Sequence, residues 1–153
     1  MCLRLASNFQ VKIAEEDIVC YKVVSRVKKN GHTKYRSPYR DKLISCGAKL
    51  NNVSVVAKSG RKEVSESDFK KCSVTEEYGT FVINNGAIHS YANRVDAFVI
   101  LKTFFINFFE DEYTTYFLAE CIIPKGTPYY VGFYDNHKSY ASRELIYKTI
   151  LDV

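Results

Sequence analysis

Residues 115–147 read TYFLAECIIPKGTPYYVGFYDNHKSYASRELIY and form the most strongly patterned part of the chain. Aromatic and β-branched residues dominate this segment, as is typical of β-strands. Turn residues interrupt it at Pro124 to Pro128 and again at Asp135-Asn136. The pattern therefore predicts a core sheet built from three strands: residues 116–123, residues 129–133, and a last strand that contains Leu-Ile-Tyr 145–147.

The residues before this segment predict further short strands. Residues 17–26 are almost continuously apolar, with Tyr21 and Lys22 at the centre, which is typical of a strand buried on both faces. Asn30-Gly31 predicts the tip of a hairpin that returns through residues 33–35. The remaining predicted elements are a short edge strand at Val11 and Ile13, a strand at 53–57, a short N-capped helix after 65–68, and two strands within 79–91 on either side of Asn84-Asn85-Gly86.

One main helix is predicted at about residues 93–109. Asn93 is its N-cap, and apolar residues then recur at intervals of three and four, which places them on one wide face. Such a face is expected to pack on the sheet. Since no repeat or linker divides residues 1–153, the prediction is one α+β domain with an antiparallel or mixed sheet.

Composition narrows the class of protein. The chain has 153 residues, 46% of them hydrophobic and 25% charged, which is the composition of a globular domain. The longest apolar stretch, residues 95–109, contains Asp96, Lys102 and Asn107 and is too short to cross a bilayer. Five scattered cysteines with no C-x-x-C pair argue against a zinc site and a disulfide framework. Residues 1–9 lack a signal-peptide pattern, so we expect a cytoplasmic protein, in the host cytoplasm if a phage encodes it.

Positive charge is concentrated in one segment. The net charge is +5, and residues 22–49 contain nine Lys or Arg against the single acid Asp41. A basic loop, Lys22 to Lys49, that faces nucleic acid or an acidic partner is one interpretation. A solvated loop that keeps a sheet edge soluble is the other.

A few side chains are candidates for chemistry. His89 precedes the helix and could position a hydroxyl or phosphate near its N-terminus, or it could be a structural core histidine. Glu144 opens the last predicted strand and could bind a ribose hydroxyl or act as a base, or it could be an outward-facing residue paired with Arg143 or Lys148. His32 and His137 lie beside turns without a metal-ligand partner at three- or four-residue spacing, so no metal site is predicted.

No phosphate-binding, zinc-protease or serine-hydrolase motif occurs in the sequence. The twelve tyrosines include a group in the last strands that could stack bases, although such residues are more often core and rim of a sheet. The residues predicted to contact a ligand are Tyr21, Lys22, His89, Ser90, Tyr91, Tyr130 and Tyr140.

Several of these residues also carry a family resemblance. Tyr21-Lys22-Val23, the segment GAIHSY at 86–91, the segment IPKGTPYYVG at 123–132, and Tyr140-Ala141-Ser142 are similar to the pattern of small uncharacterised proteins of gut bacteria and their phages. The resemblance covers most of the chain from residue 18 onward. It implies a phage- or mobile-element-type protein and brings no established activity.

A more distant resemblance is to the ADP-ribosyltransferase-like fold. By their order in the chain, Tyr21, Ser90 and Glu144 resemble the aromatic, Ser and catalytic Glu positions of that fold. The resemblance implies a site for NAD or ADP-ribose with Glu144 as the catalytic residue. The sequence departs from the pattern at Lys22, where a glycine is expected, and lacks a paired Glu or Gln before Glu144.

Two functions follow as hypotheses. The first is a non-enzymatic binding module that needs no cofactor and engages a nucleotide-like ligand or a host protein through His89, Ser90 and the Tyr-rich strands. The second is a mono-ADP-ribosyltransferase-like enzyme that uses NAD. Nucleic-acid binding through the basic loop is a weaker option, and an exposed strand edge could pair two copies into a homo-oligomer.

Overall fold

The structure is a computed structural model that describes residues 3–5, 10–36, 61–63, 74–77, 80–83, 87–107, 110–134 and 136–151. Within these residues the chain forms one α-helix, α1 (Arg94–Ile100), and twelve strands. The strands are β1 Leu3–Leu5, β2 Lys12–Ile13, β3 Ile18–Lys29, β4 His32–Arg36, β5 Arg61–Glu63, β6 Val74–Glu77, β7 Thr80–Ile83, β8 Ile88–Tyr91, β9 Thr114–Ile123, β10 Pro128–Tyr134, β11 His137–Ser142 and β12 Glu144–Leu151.

All of these strands belong to one antiparallel sheet, which confirms the α+β prediction. Its order is β5-β12-β9-β3-β8-β11-β10-β1-β7-β6, with β2 on β10 and β4 on β3. β3 is an interior strand between β9 and β8. It pairs with β9 along almost its whole length, from Ile18 opposite Ile123 to Val27 opposite Thr114. The predicted strand at 17–26 is thus present and extends to Lys29.

The hairpin predicted at Asn30-Gly31 is also confirmed. Lys29 lies opposite His32, so the loop has only two residues. Asn30 has φ 53° and Gly31 has φ 76°. Two consecutive positive φ angles match the twist of a two-residue hairpin, and Asn-Gly is the pair that adopts them at least cost.

The prediction of three strands after the helix was wrong, because there are four. The last predicted strand is two strands, β11 and β12, separated by a bend at Arg143. The Ser142 hydroxyl holds this bend by donating to the Glu144 carbonyl at 3.0 Å, and the Arg143 amide donates to the Pro128 carbonyl at 3.0 Å. A serine in a strand-like sequence therefore stabilises a change of direction.

Neighbours in sequence are not always neighbours in the sheet. β9 lies between β3 and β12, whereas β10 lies between β11 and β1. Likewise β7 pairs with β1 and β6, while β8 pairs with β3 and β11. The strands predicted around residues 84–86 exist, but they occupy different parts of the sheet.

The predicted helix packs on the sheet as expected. α1 begins after Asn93 and continues as a π-helical segment, Leu101–Ile106. The Asn93 side chain makes no capping bond to the backbone and instead donates to the Asp96 carboxylate at 3.2 Å. The buried residues between helix and sheet are Val23, Tyr91, Ala97, Ile100, Leu101, Phe105 and Leu118.

A second buried cluster forms on the other side of β3. Cys20 and Val24 belong to it, together with Cys121 of β9 and Leu145 and Tyr147 of β12. Side chains of a strand alternate between its faces, so β3 contributes to both clusters. The predicted strand at 53–57 and the predicted helix after 65–68 lie outside the described residues. No helix in the described part of the chain is long and apolar enough to cross a bilayer.

Candidate functional site

The strands that carry the predicted ligand-binding residues are neighbours in the sheet, in the order β3-β8-β11-β10. Tyr21 lies directly opposite Tyr91, and Ser90 lies opposite Tyr140. Tyr130 lies opposite Ala141, one strand further along. The fold therefore brings residues that are more than one hundred positions apart in sequence into one region of the sheet.

Most of these side chains are buried rather than presented to solvent. The exposed fractions are 2% for Lys22, 5% for His89, 1% for Ser90, 1% for Tyr91, and 9% for both Tyr130 and Tyr140. Only Tyr21 is half-buried. The ligand-binding role of these residues stays a prediction, and their surroundings in this structure are those of core residues.

Lys22 is an ionisable group inside the core. Its Nζ donates a hydrogen bond of 2.7 Å to the main-chain carbonyl of His89. Burial lowers the pKa of Lys22 from 10.5 to about 8, because the ammonium loses its hydration, and the nearby Cys121 and Cys20 partly oppose the change. The lysine is therefore much closer to losing its charge near neutral pH than a solvent-exposed lysine.

His89 is buried in its neutral form. Burial and the charge of Lys22 lower the pKa of His89 from 6.5 to about 3. Neither Nδ1 nor Nε2 of its ring has a hydrogen-bond partner among the described residues. A general acid or base needs a pKa near the working pH and contact with its substrate, and the placement of His89 provides neither.

Cys20 and Cys121 face each other across β3 and β9, beside Lys22. Burial raises the pKa of Cys20 from 9.0 to about 11 and that of Cys121 well above 9.0. The Ser90 hydroxyl lies close enough to the Cys20 thiol to oppose this rise, but makes no hydrogen bond of ordinary geometry among the described residues. Because the thiolate is the nucleophile, these protonated thiols are poorly reactive.

Glu144 lies at the start of β12 and is half-buried. In the sheet order, β9 and β3 separate its strand from β8. The Ser142 hydroxyl nevertheless links the two regions, because it lies 3.0 Å from the Glu144 carbonyl and 3.5 Å from the Ile88 carbonyl. The main chain of Glu144 is thus near the start of β8, while its catalytic role stays a prediction.

The predicted basic loop is partly a β-hairpin. Lys22 is in the core, and the guanidinium of Arg26 lies 4.6 Å from the centroid of the Phe117 ring. The part from residue 37 to Lys49 lies outside the described residues. Among the residues that the structure does describe, no three His, Cys, Asp or Glu side chains are placed to hold a metal ion.

An open groove of about 810 Å³ lies elsewhere, between β2, the start of β3 and the start of β10. Its apolar lining comes from Ile13, Ile18, Val19 and Tyr129. Sequence reasoning did not identify this site. The one available signal was the alternation at Val11 and Ile13, followed after Ala14 by the three acids at 15–17. This pattern places apolar side chains next to charged ones.

Hydrogen bonds hold the walls of this groove in place. The amide of Ala14 donates to the Thr127 carbonyl at 3.0 Å, and the Ala14 carbonyl accepts from the Gly126 amide at 2.8 Å. The Asp17 carboxylate accepts from the Lys125 amide at 2.8 Å. The segment before β3 is therefore fixed to the turn before β10, and the groove is preformed.

The groove surface combines apolar and acidic groups. Ile13 is 55% exposed and Val19 is 47% exposed, so the groove offers apolar contact surface to a ligand. Three exposed acids, Glu15, Glu16 and Asp17, line the same groove, against one lysine, Lys12. The groove thus has a net negative charge on a chain whose net charge is +5.

Comparison of the chain with models of known protein families, with curated proteins and with solved structures gave no match. The function is therefore inferred from the side chains and the geometry of this chain alone.

Proposed function

We propose that this chain is a non-enzymatic binding module that holds a segment of a partner protein in the groove between β2, β3 and β10. The observation that carries the proposal is the groove itself, which is preformed and exposes Ile13 and Val19 beside three carboxylates. Preformed concave sites with a few charged groups bind at a lower entropic cost than surfaces that must first become ordered.

The placement of the reactive side chains supports binding rather than catalysis. Lys22, His89 and the thiols of Cys20 and Cys121 are all buried in the sheet core. Burial also keeps His89 neutral and the two thiols protonated. A substrate in the groove would meet none of these groups.

The charge of the groove favours a protein segment over a nucleotide-like ligand. Phosphate groups are recognised by Arg, Lys and unpaired backbone amides. The groove instead presents Glu15, Glu16 and Asp17, which would repel a phosphate, and the Lys125 amide is already bound to Asp17. A peptide can complement both the apolar lining and the carboxylates.

A peptide-display selection against the purified protein tests the proposal. Val19→Asn places a neutral polar side chain in the apolar lining of the groove, and Val95→Asn is the matched control, since Val95 is 72% exposed on α1. We expect selected peptides to bind the unchanged protein and the Val95 variant equally, and to lose at least about ten-fold in affinity for the Val19 variant, as for loss of an interface anchor.

Two results would contradict the proposal. One is a set of peptides that bind the Val19 variant as well as the unchanged chain. The other is a rise in melting temperature with NAD or ADP-ribose that Glu144→Gln or Ser90→Ala removes, because ligands that bind the native state stabilise it. The second result would favour the ADP-ribosyltransferase-like alternative and its dinucleotide pocket.

A further inference from the structure

The start of β3 has an open edge within the groove. Ile18 and Val19 pair with β9 on one side, opposite Ile123 and Ile122. The next residue, Cys20, is fully buried and does not line the groove. On the other side, the pairing between β3 and β8 consists, within the described residues, of Tyr21 opposite Tyr91. Ile18 and Val19 also line the groove. The groove therefore runs along a stretch of strand whose second edge lacks a paired strand in the described part of the chain.

An exposed strand edge is a template for another strand. Backbone amides and carbonyls along such an edge bind an extended peptide, and pockets beside it select alternate side chains. In the groove, Ile13 and Val19 offer apolar contact, while Glu15 and Glu16 offer negative charge. Since side chains of an extended segment alternate with a period of two, one set can face the apolar lining while the other reaches the carboxylates.

We infer that the partner segment is extended and basic, and that it adds to the sheet as a strand beside Ile18 and Val19 of β3. This inference rests on the proposed function and names the chemistry of its partner. Charge complementarity selects the partner: three carboxylates against one lysine line the groove, so lysine or arginine side chains are attracted and acidic segments are repelled. Aliphatic side chains between the cationic ones would cover Ile13 and Val19.

The probe is a fluorescein-labelled peptide of alternating lysine and valine, with binding followed by fluorescence anisotropy. We expect it to bind the unchanged protein, more weakly as salt is added, and a glutamate–valine peptide of the same length to show no binding. The double variant Glu15→Gln with Glu16→Gln should weaken binding about five-fold, since two exposed ion pairs are lost. Glu110→Gln with Glu112→Gln, two exposed acids after the helix, is the control with the same charge change.

Backbone methylation tests the addition of a strand. Methyl groups on the amides of all valines block one edge of the extended peptide, and methyl groups on the amides of all lysines block the other. We expect one of the two methylated peptides to lose at least about ten-fold in affinity and the other to bind like the parent, because only one edge would face β3.

The remaining outcomes show which part of the inference fails. If the two methylated peptides bind with the same affinity, strand addition is overturned. If the glutamate–valine peptide binds as tightly as the lysine–valine peptide, the basic character of the partner is overturned. If display-selected peptides bind the groove but the lysine–valine peptide does not, the inference fails and the proposed function stands. If neither the selected peptides nor the lysine–valine peptide binds, both fail.

Discussion

Lys22 is the residue whose position is most unusual for its chemistry. A lysine is almost never fully buried, yet Lys22 is only 2% exposed and is the second largest of the fully buried side chains. Its hydrogen bond to the His89 carbonyl offsets part of the cost of removing the ammonium from water. The prediction that a strand lies here was right, but the single lysine in an apolar run did not reveal which way its side chain points.

The titration of Lys22 predicts how stability changes with pH. The pKa is about 8 in the folded chain and 10.5 when exposed, so the unfolded chain binds this proton more tightly. The contribution of Lys22 to the free energy of unfolding therefore rises between pH 8 and 10.5, by on the order of 3 kcal/mol. The test is urea unfolding of the unchanged chain and of Lys22→Met across this pH range. The difference between their free energies of unfolding should change by this amount.

The comparison with Lys22→Met is needed because other groups act in the opposite direction. Cys20 has its pKa raised from 9.0 to about 11, so the unfolded chain loses that proton first and stability falls above pH 9. Lys125→Met, at an exposed turn lysine, controls for loss of one charge. A difference between the unchanged chain and Lys22→Met that stays constant from pH 7 to 10 would show that Lys22 is solvated.

The lowered pKa of His89 predicts that the folded chain loses stability in acid. Its pKa is about 3 in the folded chain and 6.5 when exposed, so protons bind the unfolded chain first as the pH falls. The free energy of unfolding is expected to decrease between pH 6.5 and 3 by on the order of 5 kcal/mol from this residue. His89→Leu should flatten the pH dependence measured by urea unfolding.

His137 provides the matched control for that prediction. It is half-buried on β11, with its Nδ1 3.3 Å from the Asp96 carboxylate. If His137→Gln and His89→Leu changed the acid sensitivity equally, the burial of His89 would not be its cause.

Among the elements, those defined by local chemistry were predictable. Asn30-Gly31 specifies its hairpin because the two residues adopt positive φ angles readily, and the apolar period of residues 93–109 specifies a helix with one buried face. The bend at Arg143 was missed because it depends on the Ser142 hydroxyl reaching two carbonyls, one of them in β8. That contact exists only once distant strands have assembled.

β1 and β10 are in close contact at Gly132. A Cβ atom added at Gly132 would overlap the Arg4 carbonyl oxygen and lie 2.9 Å from Leu3 Cγ. Gly132→Ala must therefore push β1 away from β10, at a cost of about 1–3 kcal/mol or more. Chemical denaturation measures this loss directly.

Gly126 supplies a comparison in which space is not limiting. It has φ 88° and nothing within 4 Å of an added Cβ, so Gly126→Ala costs only the backbone strain, roughly 1–2 kcal/mol. We expect Gly132→Ala to be the more damaging substitution. An equal or smaller loss at Gly132 would mean that the two strands are not in close contact.

At the scale of the whole molecule, the order of strands could not be predicted from the sequence. β9 and β10 are joined by a short turn and yet lie in different parts of the sheet, with β3, β8 and β11 between them. Pairings such as Ile18 opposite Ile123 depend on which apolar surfaces pack together when the chain collapses. A local sequence pattern does not predict them. The fold class followed from element types alone.

The candidate site could likewise be predicted only in part from the sequence. The predicted ligand-binding residues do converge on neighbouring strands, but their burial could not be read from residue types, because Tyr, His and Ser occur both in cores and in binding sites. The groove joins residues 12–19 to Tyr129, and these segments meet through contacts between distant parts of the chain, such as the pairing of Lys12 with Tyr129 and the hydrogen bond between Asp17 and the Lys125 amide.

A methyl NMR titration with a display-selected peptide most directly locates the binding surface on the folded chain. We predict that the methyl signals of Ile13, Ile18 and Val19 shift, while those of Val95 and Val99 on α1 do not, because the first three line the groove. Shifts confined to the methyl groups of α1, or to residues around His89 and Tyr140, would contradict the assignment of the groove as the binding site.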